Sequence, residues 1–492
     1  MKNIVAAFFR LTILMLFPAV AFSTPQGELV VHGHADFTRS EGGTLEISAS
    51  DRAIINYESF HIAEHERVRF VQPGKTSCVL NRVVGGDPSK ILGALESNGR
   101  VFLVNPNGIY FGAAATVHVG SLVASTLNVQ DQDFLNDHFR FHMDRAYAKS
   151  SIEHFGNISS PEGAIVFLAP HIKNEGVIAA KAGNVFFGAA ESVTLDFSGD
   201  GLVSFILDGD LEEATIEHLG SASGDAVFMK MKVANRAIRD VINTDGIEEG
   251  NVITQENGVI RIAKAGTISA DSISIEGSDH TKVVVEGMLT APSGMVEVLG
   301  DHIELYGASI DVSGELSGGS VFIGGDYKGL GDRKTAKTTM VDAHSTICAD
   351  AIEQGNGGTV IVWSDSVTFF DGAISAEGGR LVGDGGFVET SGKQGLNIQT
   401  GHVTTLADKG KHGTWLLDPD ILTVATAGGA TYAQVQCGAG TNVGNYTVSP
   451  TTLDSVGGNV CLEAKSSFVI SDPIALSTAT ASLTFRASAA ST

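Results

Sequence analysis

Four cysteines in 492 residues, Cys78, Cys348, Cys437 and Cys461, are too few and too scattered to staple a chain of this length. The core must therefore be held by packing and backbone hydrogen bonds, not by a disulfide framework. Whether Cys437 and Cys461 pair or remain buried thiols is open in the sequence. Proline is as sparse, at 11 residues, which excludes a collagen or a proline-rich linker. Basic residues are outnumbered, 32 Lys and Arg against 56 Asp and Glu, for a net charge of -24. Such a surface repels phosphate backbones and argues against nucleic acid as a partner. Beyond the first 23 residues no stretch holds the roughly 18 uninterrupted apolar residues of a spanning helix, so no transmembrane segment is expected.

The first residues are the exception. MKNIVAAFFRLTILMLFPAVAFSTPQ carries Lys2 and Arg10, an apolar run from Leu11 to Phe17, and the small residues Ala19, Ala21 and Ser23. This is the pattern of a secretory signal peptide over residues 1–23, with cleavage expected after Ala21 or Ser23. Its removal takes two bases and no acid, so 32 − 2 leaves 30 Lys and Arg against 56 acids and the charge becomes -26. An exported mature chain is expected.

Glycine is abundant where proline is not, 59 residues in 492, against about 7% in an ordinary domain. Glycine of this kind marks many tight turns between short strands. The turns recur: GNISSPEGAIVFLAP at Gly156, GVIAAKAGNVFFGAA at Gly176, GMLTAPSGMVEVLGD at Gly287 and GASIDVSGELSGGSVFIGG at Gly307 share one pattern, with steps of 20 residues from Gly156 to Gly176 and from Gly287 to Gly307. Apolar residues alternate within each unit, as at Val185 and Phe187 or Val296 and Val298, so each strand buries one face. Only stacked neighbours complete such a core. No LxxLxL register appears, and a propeller blade is about twice this period. The expected fold is all-β, a parallel β-helix, with glycines supplying positive φ at its corners. An N-terminal cap over the exposed sheet edge is expected in the region Leu29 to Val129. MKVANRAIRDVINTDGIEEG, from Met231 to Gly250, places Val233, Ala237 and Val241 at helical spacing and predicts a short helix outside the rod.

Within the cap region, IINYESFHIAEHERVRFVQP, VLNRVVGGDPSKILGALESNGRVFLVNPNGIYFG and VHVGSLVASTLNV closely resemble the secretion domain, or haemagglutination activity domain, of the filamentous haemagglutinin family. These are the exported partners of two-partner secretion (TPS) systems. SVTLDFSGDGLVSF, GGSVFIGGDYKGLG, GGTVIVWSD, GGFVETSGK and GTWLLDPDILTV extend the resemblance over nearly all of the mature chain. Some members carry an NPNL element upstream of NPNGI. Here that area reads GGDPSKILGAL, as in the branch of high-molecular-weight adhesins that has NRV and a single NPNGI.

The resemblance implies an all-β fold, a right-handed single-stranded parallel β-helix of the pectin-lyase-like kind with an N-terminal cap, and a partner, an outer-membrane β-barrel transporter whose POTRA domains receive the chain in the periplasm. It implies passage outward unfolded, folding outside, and a protein secreted or displayed on the outer surface of a Gram-negative cell, with a host-cell or other cell-surface receptor as a further partner. The secretion motif is carried over to Asn105, Pro106, Asn107 and Gly108, and beside it to Asn81 and Arg82. The domain reading is signal peptide 1–23, secretion domain with its cap 24–145, continuing repeats 146–415, and a β-rich, incomplete segment 416–492.

The residues themselves support plainer readings too. NPNG is sound type I turn chemistry, with proline fixing φ at the second position. Asn81 and Arg82 suit either a transporter contact or a buried side chain bonded to backbone carbonyls between coils. HIAEH, from His61 to His65, matches an inverted zinc-peptidase motif that functions only on a helix, whereas its neighbours alternate as strands, so no metal is expected. His32 and His34 form an HxH pair without a third ligand. At comparable repeat positions stand Glu162, Lys181 and Ser293, with no shared acid, so no catalytic residue and no cofactor are expected and the chain is read as an adhesin or stalk, not an enzyme. The competing readings are a β-helical polysaccharide-degrading enzyme and the N-terminal part of a contact-dependent toxin-delivery protein.

Overall fold

The computed structural model describes residues 24–197, 204–209, 211–234, 258–426, 446–475 and 482–487. The leader, Cys437 and most of the expected helix at Met231–Gly250 lie outside them. Strands such as Arg67–Val71 turn Val68 and Phe70 inward and Arg67 and Arg69 outward, so each has one apolar side that only the interior of a coil covers. Coil stacks on coil in parallel register to give a right-handed parallel β-helix with three faces. The first face runs from Thr44–Ala49 and Arg67–Val71 through Ala94–Ser97 to His402–Thr404. The second runs from Ala53–Tyr57 through Cys78–Val83, Arg100–Val104 and Ser121–Ser125 to Leu483–Ala487. The third is an 11-stranded sheet from Ser89–Ile91 through Ile109–Phe111 and Ser151–His154 to Gly395–Asn397. The inward residues of all three merge into one apolar core that extends from Leu45 to Ala464.

The repeating glycines mark one corner of the rod, between the third face and the first; Gly307 turns it with φ +60°, but most do not use positive φ. Gly156, Gly176, Gly220, Gly266 and Gly287 keep ordinary backbone angles. What they share is closeness: a Cβ at Gly176 would collide with the carbonyl oxygen of Gly156, and one at Gly220 with that of Gly176. The glycine column exists because successive coils touch backbone to backbone there.

At the N-terminal end, Leu29–His32 pairs antiparallel with Ala53–Tyr57, and Ala35–Arg39 antiparallel with Thr44–Ala49. These two strands cover the edge that the first coil would otherwise present. The expected outer helix needs one correction: Met231 ends the strand Ser221–Met231, and Val233 bridges Leu211. Both are buried, so strand pairing overrides the helical spacing at the start of that segment.

Some strands are apolar on both sides because both sides are covered. Asn128–Val129, Phe139–His142, Ser192–Asp196 and Ser204–Asp208 form a four-stranded antiparallel sheet outside the rod, joined by one helical turn, Asp131–Leu135. It packs over the outer side of the second face. Hence in the run VFLV, Val101 and Leu103 face the interior while Phe102 and Val104 enter a second core with Phe134, Phe139 and Phe141. Phe102 stacks on Phe139 at 5.0 Å and meets Phe134 edge-on at 5.3 Å. Replacing Phe102 by alanine is expected to lower stability by about 3–5 kcal/mol, read as a shift in the urea midpoint of the purified mature chain.

Candidate functional site

The strand Arg100–Val104 closes the second face of its coil, and Ile109–Phe111 opens the third. Between them Asn105, Pro106, Asn107 and Gly108 make the corner. Gly108 N donates to Asn105 O at 3.1 Å, which closes a β-turn with proline at its second position, and Asn107 keeps a negative φ as type I requires. Gly108 follows at φ +121° with Ser151 O beneath, a conformation in which a side chain is strained.

The asparagines do more than turn the chain. Asn105 is fully buried, and its Nδ2 donates to Asp87 O and Ser89 Oγ, each at 3.0 Å, while its Oδ1 accepts from Asn107 N at 3.0 Å. Asn107 Nδ2 donates to Gly85 O at 2.9 Å, and Ser89 N donates to Gly108 O at 3.0 Å. The corner is therefore bonded to the Gly85–Ser89 corner of the coil before it.

Asn81 and Arg82 point to opposite sides of one strand. Asn81 faces the interior, fully buried, where its Oδ1 accepts from Tyr57 Oη at 3.2 Å and its Nδ2 donates to Phe102 O at 3.2 Å. It thus ties three successive coils together. Arg82 faces out: its Nε donates to Asn128 Oδ1 at 3.0 Å, one terminal nitrogen to Val129 O at 2.6 Å, and the other meets Asp131 at 2.7 Å. The guanidinium clamps the start of the outer sheet onto the rod. Arg82, Gly85, Pro106, Asn107 and Asn128 line a common surface groove of 290 Å³, so the structure brings the two motifs together at one corner. These three partners of Arg82 lie 46 to 49 residues further on, beyond what local sequence pattern can reveal.

The histidine motifs fall elsewhere. His61 and His65 flank the bridge residue Ile62 and a turn, so no helix aligns them, and His61 Nδ1 accepts from Lys90 N at 3.2 Å. His34 pairs with Asp36 at 3.1 Å, and His32 Nδ1 with Arg52 O at 3.2 Å. No three His, Cys, Asp or Glu side chains among the described residues are placed to share a metal.

One ionisable cluster was not legible in the sequence. Lys328, in an excursion from the rod, sets its Nζ 2.8 Å from Glu463 and 3.3 Å from Asp418, and its backbone N donates to Glu389 at 3.1 Å. Burial pushes the Glu389 carboxyl up to about 7, against the pull of that backbone hydrogen bond. Sequence separations of 61 to 135 residues hid this meeting.

Comparison with known proteins points back to the cap. The family model described as TPS secretion domain matches residues 21–275. The crystal structure of the HMW1 secretion domain from Haemophilus influenzae is similar over 80% of this chain and 100% of its own, with 31% identity and a TM-score of 0.68. Two heme/hemopexin-binding proteins of H. influenzae are 24% identical over 314 residues and 22% identical over 279, which covers 61% and 52% of this chain. The chain spans only 34% and 29% of those relatives' lengths.

The bonds at the corner set an order of sensitivity. Asn105→Ala leaves Ser89 Oγ, Asp87 O and Asn107 N without their partner and is expected to cost about 1–3 kcal/mol, whereas Pro106→Ala removes no hydrogen bond and should cost less. Urea unfolding of the two purified variants side by side checks the ranking.

Proposed function

Because this chain belongs to the TPS secretion domain family, the domain of exported two-partner secretion passengers, we propose that its partner is an outer-membrane β-barrel transporter that receives it through POTRA domains. Exoproteins of this family are secreted or cell-surface proteins of Gram-negative bacteria, and none of the described helices is long and apolar enough to cross a membrane. In this reading residues 24–145 start transport, 146–415 form the shaft, and 416–492 continue it. The folded chain acts outside the cell as an adhesin or as the stalk of a larger surface protein, with a cell-surface receptor as its second partner.

One observation carries the assignment of the motif: the side chains of Asn105 and Asn107 hold their corner to the preceding coil. NPNG serves transport by letting the first coils form, and Asn81 and Arg82 serve it by joining coils and outer sheet. Pro106 and Asn107 are also half-exposed beside Arg82 in the groove, so the same corner is open to a transporter once it has formed. We assign the chain no catalytic role. Acids along the third face are answered by bases, Lys173 with Glu175 at 2.6 Å, Arg261 with Glu286 at 2.7 Å and Lys282 with Glu304 at 2.7 Å, instead of converging on a groove as a hydrolase or lyase needs.

The test is co-expression with the cognate transporter. Asn105→Ala/Asn107→Ala is expected to be absent from the medium and the cell surface, and the purified double variant to refold from urea more slowly with no transporter present. Normal export would remove the secretion role. Blocked export with unchanged refolding would move the motif from folding to direct recognition.

A further inference from the structure

The interior of the rod holds a polar ladder that the transport reading does not use. Three successive third-face strands place His154, Asn174 and His218 at one register position, with exposures of 0%, 1% and 0%. His154 Nδ1 lies 2.6 Å from Asn174 Oδ1, Asn174 Nδ2 lies 3.0 Å from His218 Nδ1, and His218 Nε2 lies 3.1 Å from Thr267 O. Phe111 and Phe167 stand edge-on to the first ring, at 5.9 Å and 6.0 Å, and Phe187 lies 6.2 Å from the second.

One proton assignment satisfies the chain of bonds. Thr267 O only accepts, so His218 carries its proton on Nε2, and its Nδ1 accepts from the Asn174 amide. Asn174 Oδ1 then accepts from Nδ1–H of His154, which leaves His154 Nε2 as a bare lone pair with no partner among the described residues. A further proton has no place in this arrangement. On His218 it would sit on Nδ1 and oppose the Asn174 amide, donor against donor. On His154 it would sit on Nε2 with no acceptor. Turning the amide over gives His218 Nδ1–H an acceptor in Asn174 Oδ1, but the amide nitrogen then donates to His154 Nδ1, which moves the His154 proton to the unpartnered Nε2 and leaves a charge buried on His218. Glu153, Lys173 and Glu217 are on these strands but at alternate positions, on the outer side of the sheet. Each ring meets no ionised partner that would hold a charge in place.

We propose that the coils carrying this ladder close only around two uncharged imidazoles, so that folding of the secretion domain is gated by protons. The proposal rests on the reading that the exported chain folds after transport. A chain held at mildly acidic pH would then be kept from stacking early, and the same chain at neutral pH would close.

Burial pushes both imidazoles down to about 4 when the rod is folded, against about 6.5 in an open chain. Between those values the open chain takes up protons that the folded chain refuses. Stability is therefore full above about pH 6.5 and falls as the pH drops towards 4, by up to about tenfold in the folding constant per pH unit for each ring. Half-buried His61, His171 and His302 are also pushed down by burial and add their own share, so the decisive quantity is the change on removing the two ladder rings.

The purified mature protein should be unfolded in urea at pH 7.5, 6.5 and 5.5, with His154→Gln, His218→Gln and the double variant beside it. The double variant is expected to lose up to about 100-fold per pH unit of the wild-type pH dependence, and each single variant about half of that on a logarithmic scale. Equal pH slopes for wild type and double variant would overturn the proposal. If the variants do not fold, histidine C2–H exchange by mass spectrometry on the wild type decides. Peptides holding His154 and His218 should titrate below pH 5 in the native protein and near 6.5 in urea, and a native midpoint near 6.5 would sink the idea. Neither measurement involves a transporter, so its outcome is separate from that of the export assay.

Discussion

Everything in this molecule depends on in-register parallel stacking. A coil of three short strands closes around too little apolar volume to hold itself, and each becomes stable only when the residue of the same phase in the next coil lies directly on it. The phase rule explains features that otherwise look unrelated. It aligns the glycines that let backbones touch, sets Asn81 between Tyr57 of one coil and Phe102 of another, and lines up two histidines with the asparagine between them. A polar side chain can live inside the rod provided that its partner arrives at the same phase one coil later.

The outer side of the second face is a surface that stacking does not finish. Towards the N-terminus its Phe102, Val104, Val166 and Leu168 are covered by the antiparallel outer sheet. Further along, the excursion at Tyr327–Gly329 lies over Trp363, Glu389 and Phe387. One cover is an apolar second core and the other is fixed by charge. Both are insertions between strands that leave the coil register intact.

Much of this was legible in the sequence because it is local. Alternation within strands and the 20-residue recurrence point to a parallel β-helix, and the turn chemistry of NPNG is visible residue by residue. What could not be read were the meetings between distant segments. Arg82 looks like a charge beside an apolar run until Asn128 and Asp131 are known to lie against it. In VFLV and NVFFG the alternation showed one buried side, and only the outer sheet explains the second, at Phe102, Val104 and Phe186. The corner glycines were read correctly as corners, but positive φ accounts for only some of them, such as Gly108 and Gly307, since a sequence shows a missing side chain but not which of two reasons removed it. The helical spacing after Met231 misled at its start because an amphipathic period carries no record of the neighbouring strand that Met231 joins.

The tie between Lys328 and Glu463 spans 135 residues, whereas neighbouring coils are linked over separations such as the 20 from His154 to Asn174. In a chain that folds from its N-terminus, the excursion carrying Lys328 is made long before the Glu463 carboxylate that pairs with its ammonium is in place. Its ammonium must wait in water while several further coils are laid down, and Asp418 reaches it before Glu463 does. The cluster thus records how far assembly has advanced: Arg333 and Lys337 hold the excursion to Glu297 and Asp301 of earlier coils, while the Lys328 ammonium gains its own carboxylates only as later coils are added.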